Sequence, residues 1–349
     1  MMISAYNRRM HLDFRISAQP LRPSLLALLL IAISAAGVAQ TSGKAASSSG
    51  VAEAERATHL AESGHCLEAL PLLRKSIRQT ANRDLKKRIG LDGVHCAMTH
   101  ASPYDSLDFL TMLSRDFPHD PEVLYAASHA YSDLSMRSSQ DLAHEAPFSF
   151  QVHQLNAEAL EVQSRWDEAA VEYRKILEIN PMLPGIHARL GRALLSKPQP
   201  SSTEVEQARK NFEEELEIDP RNPAAEYVLG QLAADANDSS TAIRHFSRAT
   251  KLDTSFSEAY LGLGTSLNSA KRFSEAIPAL ESYEKLAPDS PTGHYQLALA
   301  YAGAGRRDDA NREAALQRQT AEALEAVKRK AAIAQEKQQP PASQTPEQK

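Results

Sequence analysis

Ala169, Ala208, Ala242 and Ala276 each stand four residues before a large side chain (Tyr173, Phe212, Phe246 or Leu280) and twelve before a helix-ending position (Pro181, Pro220, Thr254 or Pro288). The alanines are 39, 34 and 34 residues apart, and Ala310 follows after another 34. A recurrence of about 34 residues with small residues at fixed phase is the signature of stacked helix–turn–helix units. The small side chains let two helices cross closely, and the large one fills the space beside them. A chain of this kind grows by adding units that touch only their neighbours, which suits 349 residues with only 6% aromatics.

The units run 150–183, 184–222, 223–256, 257–290 and 291–324. Their first helices carry Ala157, Leu190-Gly191, Leu229-Gly230, Leu263-Gly264 and Leu297-Ala298. Segments such as WDEAAVEYRKILEINP and RFSEAIPALESYEKLAP resemble the tetratricopeptide repeat, and the resemblance implies an all-α, right-handed solenoid. Ile176, Glu215 and Tyr283 stand where that family prefers a small residue, and Thr254 replaces a helix-ending proline. Residues 150–324 are the regular repeats and 51–149 are divergent ones. In the divergent part Ser106, Leu110 and Pro118 keep the spacing, and 121–149 reads as a unit with a shortened second helix closed by Pro147. Five extra residues in the 184–222 unit fall within the 197–202 loop, after which Thr203 and Glu206 are expected to form a capping box that restarts the helix.

Both ends lie outside this frame. Arg8, Arg9, Arg15 and Arg22 precede an apolar run, Leu25 to Val38, that ends in small residues. Basic, apolar, then small is the order of a secretory signal peptide, here 1–39. The expectation is export to a periplasmic or extracellular location. The alternative is an uncleaved anchor that tethers a regulatory subunit to the inner membrane, the only membrane contact this sequence suggests. Residues 40–50 read as a flexible spacer rich in Ser, Gly and Ala. Residues 308–336 read as a final helix, with Leu316, Leu324, Val327 and Ala331 on one stripe, that caps the last repeat; a partner-binding coiled coil is the other reading. Residues 337–349, rich in Pro and Gln, read as a disordered tail.

The two cysteines, Cys66 and Cys96, fall at the start of a second helix and late in the next first helix. Antiparallel stacking brings those ends to one edge, so a disulfide is expected in an exported chain. Free thiols, or a metal held together with His65 and His95, are the competing readings.

No catalytic spacing emerges: HExxH and GxSxG are absent, and Gly303-Ala-Gly305 follows no strand. A net charge of −5 with acids and bases interspersed gives no basic footprint for nucleic acid. The sequence therefore reads as a non-enzymatic scaffold, with no cofactor and no metal, whose partner is a protein or peptide of unknown identity. The resemblance places that partner in a concave groove lined by first helices. Carried onto this chain, the groove positions are Tyr125, His129, Gln151, Gln154, Glu158, Arg192, Tyr227, Gln231, Leu261, Asn268 and Tyr295, with Asp235 and Thr265 between them. Gln154 and Ala188 stand where carboxylate-clamping members of the family carry lysine, so a terminal carboxylate is not the expected ligand.

Overall fold

The computed structural model describes residues 42–100 and 102–338. The signal segment expected at 1–39, and the tail expected from 337 apart from its first two residues, lie outside them. The described residues form fifteen α-helices and no strand. They divide into two compact units, one ending at Val152 and the other beginning at His153.

The first unit holds α1 (Ser42–Glu62), α2 (Cys66–Gln79), α3 (Arg83–His100), a 3-10 turn at Pro103–Asp105, α4 (Ser106–Asp116) and α5 (Pro121–Glu145). α1 packs on both α2 and α3, and α3 on α4. Ala54, Ala57 and Ala61 of α1 share one core with Ala69, Leu73 and Ile77 of α2 and Ile89 and Ala97 of α3. Cys66 and Cys96 are buried in that core and joined in a disulfide, with their Cα atoms 4.9 Å apart. The helix phasing read from the sequence thus brought the right two ends together.

Two expectations for this unit are corrected. The spacer expected at 40–50 is helical from Ser42 onward, because a Ser-, Gly- and Ala-rich run without proline holds nothing that forbids a helix. Residues 121–149 do not form two helices. α5 is one helix of 25 residues, capped by Asp120, whose carboxylate accepts from the Glu122 and Val123 amides. After Pro121 it contains neither proline nor glycine, so no turn interrupts it before Ala146.

The second unit takes α6 (Phe150–Val162) from His153 onward, then α7 (Trp166–Ile179), α8 (Ile186–Leu195), α9 (Ser202–Ile218), α10 (Pro223–Asp235), α11 (Ser239–Leu252), α12 (Ser257–Ser269), α13 (Phe273–Leu286), α14 (Pro291–Gly303) and α15 (Arg307–Gln338). From α7 to α15 each helix packs on the next, and His153 Nδ1, 2.7 Å from Glu172, ties α6 to α7. The phased alanines Ala169, Ala208, Ala242 and Ala276 are fully buried, and Tyr173, Phe212, Phe246 and Leu280 are buried with them. The glycines of the first helices explain the pairing. A Cβ at Gly230 would come within 2.8 Å of the Phe246 ring, and one at Gly264 within 2.4 Å of Leu280.

Most first-to-second helix turns repeat one geometry. Ser164, Asn237, Lys271 and Gly305 have positive φ, two residues before the second helix begins, as Gly64 does in the first unit. The amide after each bonds back five residues, as in Arg272 N to Leu267 O at 2.8 Å, which satisfies carbonyls that the helix end leaves open. The α8–α9 link is the exception. There the capping box is Ser201 with Glu204: Ser201 N donates to Glu204 at 2.7 Å and Glu204 N to Ser201 Oγ at 3.3 Å. The expected pair, Thr203 and Glu206, lies two residues too far along. Both pairs have the required spacing, but the helix resumes directly after Pro200, and Lys197 holds Glu204 in place.

The departures from the family pattern have local compensation. The buried Glu215 carboxylate accepts from Gly185 N (2.8 Å) and Ala188 N (3.2 Å), open amides at the start of α8. Tyr283 lies over Gly293, where a Cβ would come within 2.6 Å of its ring, and donates to Ser290 Oγ. At Thr254 the turn is made by Asp253, whose carboxylate accepts from Ser255 N at 2.8 Å.

α15 runs 32 residues, but only its first half packs. Ala310, Glu313, Ala314, Gln317 and Ala321 are partly covered, whereas every residue from Glu322 to Ala334 is exposed. The expected cap over 308–336 therefore covers the last repeat only as far as Ala321; Leu324, Val327 and Ala331 cover nothing among the described residues. No helix among those residues is long and apolar enough to cross a membrane.

Candidate protein-binding groove

The first helices of three successive repeats, α10, α12 and α14, face one another. Where they do, a cavity of about 350 Å³ opens, with Leu195 of α8 and Phe246 of α11 adding to its wall. Tyr227, Gln231 and Asp235 stand one turn apart on α10, and Glu258, Leu261 and Thr265 recur with the same phase on α12. Residues three to four apart share a helix face, so each helix presents a short ladder to the same space. The apolar part of the wall is Leu195, Val228, Leu232, Leu261 and Phe246.

The polar groups are few and placed at the edge. Gln231 Nε2 donates to the Tyr227 hydroxyl at 2.7 Å, and the Tyr227 ring packs against Phe246 and Phe256, with centroids 5.7 and 4.8 Å away. That packing holds the tyrosine as a fixed wall. Asp235 and Glu258 are both exposed acids, and the lining contains no lysine, arginine or histidine. Partial burial pushes the Asp235 carboxyl above its usual value. An apolar slot with an uncompensated acidic edge suits a segment that offers an apolar side chain next to a cation.

Of the groove positions expected from the sequence, Tyr227, Gln231 and Leu261 meet here, together with Asp235 and Thr265. Others are taken up inside the protein. Arg192 donates to both oxygens of Glu161 at 3.1 and 3.2 Å, joining α8 to α6. Gln154 donates to Glu158, which also pairs with Arg189 at 3.1 Å. Asn268 is buried and donates to the Gln296 backbone and side-chain oxygens at 2.9 and 3.0 Å, bracing α12 against α14. Tyr295 is exposed on α14 but lies outside the cavity wall, to which its neighbours Thr292 and Gln296 contribute instead. Tyr125 and His129 belong to the first unit and touch edge to face, 4.4 Å apart. Gln151 is exposed in the same unit.

Sequence reasoning missed Val228 and Leu232, each one residue beyond an expected position, and Gly262. A Cβ at Gly262 would come within 2.7 Å of Phe246, so only glycine lets α12 approach that ring. The missed signal was a glycine one residue after an expected lining leucine.

A tetratricopeptide repeat model matches residues 202–255 and again 227–291. The sequence matches no curated protein. Among solved structures, MamA is 23% identical, with a TM-score of 0.45 over 50% of this chain and 92% of its own. A MamA from Desulfovibrio magneticus RS-1 is 14% identical, with a TM-score of 0.45 over 50% and 96%. YrrB, described as a TPR protein with an unusual peptide-binding site, is 19% identical, with a TM-score of 0.47 over 54% and 97%. Residues 202–291 thus carry the tetratricopeptide-repeat signature, and they lie in helices that pack in consecutive pairs with the phased alanines buried.

Proposed function

We propose that the protein is a scaffold whose cavity between α10, α12 and α14 captures an extended protein segment carrying an apolar side chain beside a lysine or arginine. The observation that carries this reading is the combination of an apolar wall with two acids and no base. The apolar residue fills the slot against Leu261 and Phe246, the neighbouring cation meets Asp235 and Glu258, and Gln231, Thr265 and Gln296 offer partners to the segment's backbone. A tetratricopeptide framework supports this because its first helices stack side by side and leave a continuous face for such a segment.

The scaffold is proposed to act outside the cytoplasm, in assembly of an envelope complex. The basic–apolar–small order at 1–39 and the paired cysteines support that placement. N-terminal sequencing of the mature protein tests it. A start near Gln40 is expected, and retention of Leu25–Val38 would favour the tethered form.

The binding claim is tested by selecting a randomised displayed peptide library on the full chain. Enrichment of segments with an apolar residue next to Lys or Arg is expected. Enrichment of acidic segments, or none at all, would contradict the reading.

A further inference from the structure

Two histidines of the second unit share one device, and one of them is out of balance. His187 donates from Nε2 to the Pro181 carbonyl at 3.0 Å and places Nδ1 3.1 Å from Asn211 Oδ1 and 3.1 Å from Glu214. His294, also six residues after a helix-ending proline, donates to the Pro288 carbonyl at 3.0 Å. Its Nδ1 lies 2.8 Å from Glu284 and 2.8 Å from Glu313, so here both neighbours are carboxylates.

Two other histidine–glutamate pairs of this unit carry a second cation. Glu172 has Lys175 as well as His153, and the buried Glu226 has Arg248 as well as His245. Among the described residues no lysine or arginine pairs with Glu284 or Glu313. An imidazole whose Nε2–H is held by a carbonyl has only Nδ1 left to offer, and here two carboxylates compete for the one hydrogen-bonding position at Nδ1. One positive charge is missing from this copy.

We propose that Glu284, His294 and Glu313 form a binding site for a divalent transition-metal ion of zinc type, joining α13, α14 and α15. The three ligand atoms lie within 4.8 Å of one another. Zinc bound to nitrogen and oxygen at about 2.0–2.2 Å needs ligand atoms about 3.2–3.6 Å apart. The carboxylates therefore have only to move outward from their present hydrogen bonds to Nδ1. The Pro288 carbonyl fixes the tautomer that presents Nδ1, as outer partners of metal-bound histidines commonly do. His294 is buried and Glu313 nearly so, while Glu284 is the most exposed of the three and opens the site to solvent. Three protein ligands leave a fourth position for water. The ion would clamp the first half of α15 to the last helix pair, where the exposed second half contributes nothing to its attachment.

The test is calorimetric titration of the full, chelator-treated chain with zinc chloride at pH 7.5, in two buffers of different ionisation enthalpy. One zinc per chain is expected, with release of about one proton as the shared Nδ1 proton is displaced. His294→Gln and Glu313→Gln are each expected to weaken binding by at least about 100-fold, beyond the 10–100-fold typical of a supporting group. His187→Gln should leave it unchanged. If His294→Gln does not fold, Glu284→Gln gives the same reading from the exposed ligand. Replacing zinc by cobalt should add a visible absorption band that Glu284→Gln abolishes. Absence of stoichiometric binding, or binding that survives both Glu284→Gln and Glu313→Gln, would overturn the proposal and leave His294 as a hydrogen-bonded clamp between two acids.

Discussion

In the first unit a disulfide ties α2 to α3, and the helices around it keep no strict period: α5 runs through the place where a second helix was expected. In the second unit each residue type returns at its place every 34 residues or so, and the described helices are held by noncovalent contacts alone. There a buried alanine and a large side chain opposite Gly191, Gly230 or Gly264 make three successive crossings close and specific, so a cross-link adds little. In the first unit Gly93 meets Phe109 in the same way, but Ser106 stands where the phased alanine would, and a buried covalent link adds a constraint. Regular packing and covalent bracing are thus alternative ways of fixing the same helix-pair architecture.

Replacing both Cys66 and Cys96 by serine should have the largest effect. Losing the closure of a loop with a sequence separation of 30 residues removes roughly 3–4 kcal/mol in the chain-entropy model. Hydrogen exchange should show α1–α4 losing protection while α10–α14 keep theirs; equal losses in both units would break the comparison. The matching change in the second unit is Gly230→Leu. Overpacking against Phe246 should cost about 1–3 kcal/mol or more, read by denaturant unfolding. A harmless substitution would mean that the close crossing does not hold the repeat.

A third prediction concerns a cost inside the braced unit. Asp92 has a buried oxygen without a hydrogen-bond partner, and burial, followed by Glu62, pushes its carboxyl up to about 6. An acid whose folded value is raised destabilises the fold above that value and costs nothing below its unfolded value near 4. Asp92→Asn should therefore stabilise by roughly 1–2 kcal/mol at pH 7.5, with the gain shrinking between about pH 6 and 4 and gone below. A gain independent of pH would show that charge burial is not the cause. The smallest effect is expected at Lys271, a non-glycine residue with a φ of 60° in a turn whose counterpart in the next repeat is Gly305. Lys271→Gly should stabilise by about 0.5–1 kcal/mol, seen as a small rise in Tm.

What the sequence disclosed follows the same division. The second unit was legible because Ala169, Ala208, Ala242 and Ala276 mark a crossing that tolerates little else, and packing carries its own period. The disulfide was legible because helix phase alone brings Cys66 and Cys96 to one edge. The continuous α5 was not, since a missing turn leaves no residue to read. The cavity was half legible. Tyr227, Gln231 and Leu261 were found by register, but register does not tell a lining residue from one spent on a neighbour. Arg192 and Asn268 sit at groove positions and are occupied by Glu161 and Gln296. Nor did the sequence show that Arg248 pairs with the buried Glu226 at 2.9 Å. Lys251, exposed and outside the cavity wall, serves as a control position.

Where a captured segment sits is the most direct test of the groove. A photo-reactive benzoylphenylalanine placed at Thr265, and separately at Lys251, is irradiated with a selected apolar–basic peptide. Cross-linking at position 265, lost on adding Leu261→Arg, and none at 251 is the expected result. Cross-linking at 251, or at 265 undiminished by Leu261→Arg, would contradict the assignment of the α10–α12–α14 cavity as the binding site.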